Sequence, residues 1–371
     1  MTSRERIMTA LGGGIADRVP VSTYELVGHN SRSFENNDPS YAELMRLIRE
    51  KTDCLCMWGP VSNETFLGSA HPVEMDVEAF RDGDAIITRR TLHTPKGDLT
   101  AATKVFDNVH TTWQLEHWCK DPSDVDKALS VPYAPLQYDV SDYSRVAAEV
   151  GERGIIMDSL SDPLWMAADL MEFGQYTLWA LTEEEHFART VALMRERCME
   201  NLRRLLAVNV CDLYRVCGPE YATPPYMPPE CFDRFVTAQV RGMVDLVHAA
   251  GAKARFHCHG KIGQVLDMIV RTGADALDPC EAPPDGDIEL AGVKRRVGDR
   301  LCLFGNVQLK LLEHGTTEQV AKAVRGCMDA AKRGGGYIIM PTAAPINSPL
   351  AGKSADNYRC FIETAVECGG Y

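Results

Sequence analysis

Short apolar runs recur along the chain, each followed by a polar or glycine-bearing turn and then by a stretch of helical spacing, which is the trace of repeated βα units. Eight such runs predict strands at 19–23, 54–58, 154–158, 213–217, 252–257, 276–278, 301–305 and 337–340. Helical periodicity predicts helices over 41–51, 163–174, 183–208, 229–250, 262–272 and 317–333. Thr182 before Glu183, Glu184 and Glu185, and Thr316 before Thr317 and Glu318, are start signals. Gly251, Gly273 and Gly334 stand where helices should stop.

One region breaks the alternation of strand and helix. From Asp84 to Trp118 the side chains alternate in the strand manner, as in Ile86, Thr88, Arg90 and Leu92, and Pro95-Lys96-Gly97-Asp98 reads as a hairpin turn. Residues 84–118 are therefore expected to form an antiparallel β insertion between the second and third units, serving as a lid or as the surface of a homodimer. Eight βα units favour a closed (β/α)8 TIM barrel over an open doubly wound sheet, with residues 1–371 as a single domain. Gly12-Gly13-Gly14 precedes the first strand and so lacks the strand-turn-helix context of a dinucleotide fingerprint.

Composition narrows the partners more than the fold. A net charge of -13 argues against nucleic acid and anionic membranes, which attract basic surfaces. No apolar run approaches the roughly 20 residues needed to span a bilayer. The 13 cysteines are scattered without a CxxC pair, the opening residues 1–11 suit a surface helix and not an export sequence, and a cytoplasmic protein with reduced thiols is expected.

The candidate chemistry starts from Arg255-Phe256-His257-Cys258-His259-Gly260 at the end of the fifth strand. Alternate strand side chains share a face, so His257 and His259 should point one way and Cys258 the other. Two imidazoles plus one oxygen or sulfur ligand and an open position is the usual layout of a catalytic zinc site; the plainer alternative is a histidine hydrogen-bonded to backbone. Strand ends of a barrel converge on one mouth. The residues expected there include Tyr24, Glu25, Trp58 and Asn306 as substrate contacts, Asp158 and Glu281 as acid or base, and Glu220 as the further metal ligand, with Cys280 and Glu281 as rivals for that role. Glu220 lies beside the proline-rich loop 224–229, which favours a fixed carboxylate. Asp278 suits a bond to the second ring nitrogen of a histidine. Asp162, ahead of Pro163, reads equally as an acid and as a helix cap.

The opening Arg4-Glu5-Arg6 helix, Asp17-Arg18-Val19-Pro20-Val21, His257-Cys258-His259-Gly260, the segment from Gly273 to Glu281 and Gly305-Asn306-Val307 together resemble the uroporphyrinogen decarboxylase superfamily over nearly the whole chain. The resemblance is nearer to the cobalamin-dependent methyltransferase branch. The arginine-rich segment that grips porphyrin carboxylates in true decarboxylases has no counterpart between Pro20 and Ser40. In that branch a His-x-Cys-Gly strand end supplies two zinc ligands and a cysteine near the last strand supplies a third. The first maps onto His257 and the second onto His259, where cysteine has become histidine; near residues 342–344 no cysteine is present. The resemblance implies a zinc-dependent methyltransferase of the O-demethylase type, moving a methyl group between a small methylated compound, such as a methoxylated one, and a corrinoid (cobalamin) on a partner protein. Its rivals are a metal-free decarboxylase of a small carboxylated substrate, with Asp158 or Asp162 placing a proton, and an inactive barrel kept as a binding partner.

Overall fold

The computed structural model describes all 371 residues. In chain order, β1 (Cys54–Met57) is followed by an antiparallel excursion of four strands, β2 (Glu74–Asp82), β3 (Ala85–Thr94), β4 (Gly97–Phe106) and β5 (Trp113–Glu116). Then come β6 (Gly154–Ser161), β7 (Leu213–Cys217), β8 (Lys253–His257), β9 (Ala276–Asp278), β10 (Cys302–Phe304) and β11 (Tyr337–Ile338). With β1 these form one curled parallel sheet of seven strands whose spatial order is the chain order, as in a TIM barrel.

The strand expected at 19–23 is not a regular one, yet it occupies the gap between the two ends of the sheet. Val21 makes a parallel bridge with Ile339. Ser22 N donates to Ile339 O at 3.0 Å, Ile339 N to Pro20 O at 3.0 Å and Asp53 N to Val21 O at 2.7 Å. Pro20 has no N–H to give, so the ladder is short. The antiparallel insertion is larger than expected and starts earlier. Its first strand, Glu74–Asp82, is almost wholly exposed, yet Met75, Val77 and Ala79 alternate with Glu74, Asp76 and Glu78, so its strand period stands in the sequence ahead of the expected start at 84. Thr94 pairs with Gly97 across the tight turn at Pro95 and Lys96, as the sequence indicated. The helix expected over 163–174 divides into Pro163–Ala168 and Phe173–Thr182. No helix is long and apolar enough to cross a membrane.

Strand alternation sorts the core into two layers. Inward residues Leu55, Ile155, Met157, Leu213, Ala276, Cys302, Phe304, Ile338 and Met340 pack with Ile7, Ala10 and Leu11 of α1 (Ser3–Leu11), while the even-numbered neighbours on β6 and β8 join the larger layer beneath the helices. Thr2 and Glu5 close a capping box that starts α1. Arg6 is buried and pairs with Asp53 at 2.6 Å, and Arg4 reaches Asp212 at 2.9 Å. Asp53 and Asp212 immediately precede β1 and β7, so α1 lies across the N-terminal ends of the strands and plugs that end of the sheet. The surface helix expected for residues 1–11 is thus a structural stopper, because its apolar face completes the inner core. The C-terminal ends of the strands lie on the opposite side from this plug.

Candidate active site at the C-terminal ends of the strands

Above the apolar inner layer the inward positions turn polar. On β8 the inward side chains are Arg255 and His257, whereas Ala254, Phe256 and Cys258 belong to the outer layer. Register sets His257 opposite Asp278 of β9. His257 Nδ1 lies 2.9 Å from Asp278 Oδ2, and the Arg255 guanidinium grips the same carboxylate through Nε and Nη2. Arg255 and Asp278 are completely buried. Burial alone would push the Asp278 carboxyl up, but the charges of Arg255 and His257 outweigh it and hold that carboxyl well below the usual range. Arg255 also lies 4.8 Å from the Phe304 ring centroid, a cation–π contact that fixes the guanidinium from below.

A second network meets the first at Tyr24. Arg215, inward on β7, donates to the Tyr24 hydroxyl at 2.9 Å and to Ser159 Oγ at 3.1 Å, and pairs with Glu25 at 3.3 Å. Tyr24 has a left-handed backbone (φ 58), which turns its ring toward the site, 6.5 Å from the His257 ring. Burial raises the Tyr24 hydroxyl, so it stays protonated at neutral pH.

His259 lies just beyond the strand, with its side chain 39% exposed and Nδ1 3.3 Å from Glu281 Oε2. Glu281 also accepts from Gly260 N at 2.8 Å. Gly260 has φ +89, a conformation that side-chain-bearing residues rarely adopt, so the turn that presents His259 needs glycine. Burial pulls the His259 pKa down, and the bond to Glu281 with the fields of Glu281, Glu220 and Asp278 more than reverses it. Glu281 is opposed by burial in the same way and is drawn down by His259 and Gly260. The pair's stabilisation is therefore complete between about 4.3 and 6.5, the unfolded values. It fades as pH rises through the raised histidine value, or falls through the depressed carboxylate value. In metal-free protein the His259 imidazole is expected to titrate above the ordinary histidine value by proton NMR, and Glu281→Gln should lower its midpoint. An unchanged midpoint in that variant would remove the assigned pairing.

The two imidazole rings sit edge to face with centroids 4.8 Å apart. Each Nδ1 faces a carboxylate, which leaves each Nε2 available; this carboxylate–histidine arrangement is how metal-ligating imidazoles are usually oriented. The donors therefore fit a divalent cation such as zinc in type and in outer support. They supply two positions only, since no three His, Cys, Asp or Glu side chains come together closely enough to share an ion.

The other residues expected at the mouth divide. Tyr24 and Glu25 are there. Glu220 lies in the short turn Pro219–Ala222, where its carboxylate accepts from Gly218 N at 3.3 Å and its charge is felt at His259. Asn306 Oδ1 accepts from Cys280 N at 3.2 Å, so it steadies the backbone that carries Glu281. Cys280, expected among the ligands, is instead fully buried in the outer apolar layer. Trp58 faces outward, donating to Asp142 Oδ1 at 3.1 Å and packing edge-on against Tyr143. Asp158 also faces outward and borders a separate cavity that none of His257, His259, Glu220 or Glu281 lines. Asp162 is the cap of the helix Pro163–Ala168, accepting from Trp165 N at 2.7 Å. Arg215, Ser159 and Gln308 were not expected. Gln308 receives Thr342 Oγ1 at 3.3 Å, and its buried Nε2 has no hydrogen-bond partner.

The sequence profile of uroporphyrinogen decarboxylase (URO-D) matches residues 110–365, more than half of the chain. A methylcobamide:CoM methyltransferase, MtaA, from Methanosarcina barkeri is 22% identical over 162 residues, which are 44% of this chain and 45% of that protein. A uroporphyrinogen decarboxylase from Pseudoalteromonas translucida is 33% identical over 92 residues, 23% of this chain and 24% of that protein. The matched region thus spans less than half the length of these curated relatives. Among solved structures, a methyltransferase from Methanosarcina mazei superposes with a TM-score of 0.62 at 16% identity, covering 99% of each chain. That likeness carries the fold.

Proposed function

The chain belongs to the uroporphyrinogen decarboxylase family, and from that premise we propose that it is a zinc-dependent methyltransferase exchanging a methyl group between a small methylated compound, a methoxylated one foremost, and a corrinoid on a partner protein. Its relatives include methyltransferases and a decarboxylase, which supports an enzyme. The segment at 19–23 is read as the eighth member of a closed barrel, and the corrinoid is read as approaching the C-terminal ends of its strands.

The observation that carries this reading is the pair of imidazoles 4.8 Å apart, each with a carboxylate behind it. His257 and His259 would hold the ion through Nε2. No third side chain stands with them, since Glu281 is engaged by His259 and Gly260, Cys280 is buried elsewhere and the Glu220 carboxylate accepts from Gly218 N, so the remaining positions would be left to water and substrate. When bound, zinc supplies a Lewis acid for the heteroatom from which the methyl group leaves. The chain's own contribution is orientation. Asp278 fixes the tautomer of His257 by accepting its Nδ1 proton bond, and Glu281 does the same for His259. Arg215 holds the Tyr24 hydroxyl at the strand ends, where it would offer a hydrogen bond to the substrate, with the ring 6.5 Å from that of His257.

The test is elemental analysis of protein purified without chelator, joined to transfer assays with cob(I)alamin and a panel of methoxylated aromatics and methylamines. Stoichiometric zinc with methylcobalamin formed from one donor class is the expected outcome. Metal-free protein that transfers nothing would end the proposal, and release of carbon dioxide from a carboxylated substrate would put a decarboxylase in its place.

A further inference from the structure

One cavity of the molecule lies apart from the His257 and His259 site. A space of about 480 Å³ lies outside β6, between the strand end and the helix Glu184–Val208. Its size is that of a small-ligand pocket. Phe66, Trp118, Tyr138 and Trp165 supply aromatic walls, and Glu64 and Asp169 stand with Asp158 as its charged groups. No lysine, arginine or histidine lines it. The closest guanidinium along the chain, that of Arg197, is turned to Leu67 O at 2.8 Å and to the ring of Tyr133.

Asp158 gives the cavity its chemistry. It is only 5% exposed, and its one hydrogen bond is the 2.7 Å contact that Oδ1 accepts from Ser159 N. Oδ2 has no protein partner, and no cation is paired with the group. Gly59 stands where any Cβ would come to 3.2 Å of Oδ1, so the absent side chain keeps the approach open. A buried carboxylate normally has a paired charge or several donors, since an isolated buried charge is costly. Here burial has pushed the carboxyl up to about 7, as it would for a group that lacks its counter-ion.

We infer that this cavity is a binding site for a small organic monocation, an alkylammonium compound, whose charge pairs with Asp158 and whose methyl or methylene groups lie against Trp165, Trp118, Tyr138 and Phe66. Aromatic faces attract desolvated ammonium groups by their quadrupole, and acidic rim residues Glu64 and Asp169 raise the local cation concentration without a competing positive side chain. A neutral or anionic ligand would use the aromatic walls but leave Asp158 without a counter-ion, whereas Glu64 already accepts from Gly68 N at 2.8 Å. The inference does not depend on a metal at His257 and His259, and the test reads binding alone.

Isothermal titration of the full-length protein with choline and with its neutral isostere, 3,3-dimethylbutan-1-ol, separates charge from shape. Choline should bind saturably and at least about tenfold more tightly than the alcohol. Asp158→Asn should cost choline about tenfold and leave the alcohol nearly unchanged, with the near-ultraviolet circular dichroism preserved because only the buried charge has been removed. Trp165→Leu should weaken choline as well. Equal affinity for the two probes, undiminished choline binding in Asp158→Asn, or no heat from choline, tetramethylammonium and benzyltrimethylammonium at roughly 10 mM would overturn the assignment.

Discussion

Asp278→Asn is expected to lower the unfolding free energy by about 3–5 kcal/mol, the usual cost of leaving one half of a buried ion pair without its partner. Asp278 and Arg255 have almost no exposed surface, and Asp278 is the only carboxylate that Arg255 contacts. Asparagine fills the same space and can still accept a hydrogen bond, so the loss comes from charge and not from a cavity. The urea midpoint should fall with the slope unchanged. Because the carboxyl is held below its ordinary value, its stabilising contribution is complete above the unfolded value of about 3.9 and is lost as pH falls through the folded one. The gap between variant and parent should therefore be full at neutral pH and shrink once the solution is more acidic than about 4. A double variant, Arg255→Met with Asp278→Leu, should recover most of the stability, since a packed apolar pair replaces the ion pair without an orphaned charge. A single variant as stable as the parent would mean that Arg255 finds water or another anion in solution.

The same residues show what a sequence discloses and what it withholds. Strand positions were legible because buried parallel strands read as continuous apolar runs, and seven of the eight expected runs form the sheet. The eighth, at 19–23, was legible as an apolar run but not as a weak partner, because the missing N–H of Pro20 acts only through its neighbours. The first strand of the insertion is legible too, since Met75, Val77 and Ala79 alternate with Glu74, Asp76 and Glu78, and an insertion begun at 84 simply stops short of it. At the mouth, His257 and His259 were found from the alternation of side chains along one strand. That rule also explains the residues placed elsewhere. Asp158 follows the inward Met157 and Trp58 follows Met57, so both face the helices; extending the parity of each strand to its last residue would have sent them outward. It would also have selected Arg255 and Arg215, inward charged residues within apolar strands. Cys280 lies past the strand, where backbone turns reset the alternation, and no spacing rule reaches it.

His257→Ala should have the largest effect on the proposed activity. Of the two imidazoles it is the more firmly placed, being 8% exposed with Nδ1 2.9 Å from Asp278, whereas His259 is 39% exposed at 3.3 Å from Glu281. A ligand whose orientation is already fixed loses less freedom on binding an ion, so more of the site's affinity rests on His257 than on His259. Removing it should abolish stoichiometric zinc and lower methyl transfer by about a thousandfold, which corresponds to the loss of about 4 kcal/mol of stabilisation of the developing charge. Asp278→Asn keeps the ring and misdirects it, and should cost about 10–100-fold in metal affinity. His257→Ala leaves the Arg255–Asp278 pair in place, so its urea midpoint should stay close to the parent's while the metal is lost. That separation marks a ligand, because a residue that served only the fold would lose stability first. Added imidazole should restore part of the transfer by occupying the vacated space. Full zinc content and undiminished transfer in His257→Ala would remove the paired imidazoles from the chemistry and leave them a role in bracing Asp278 and Glu281.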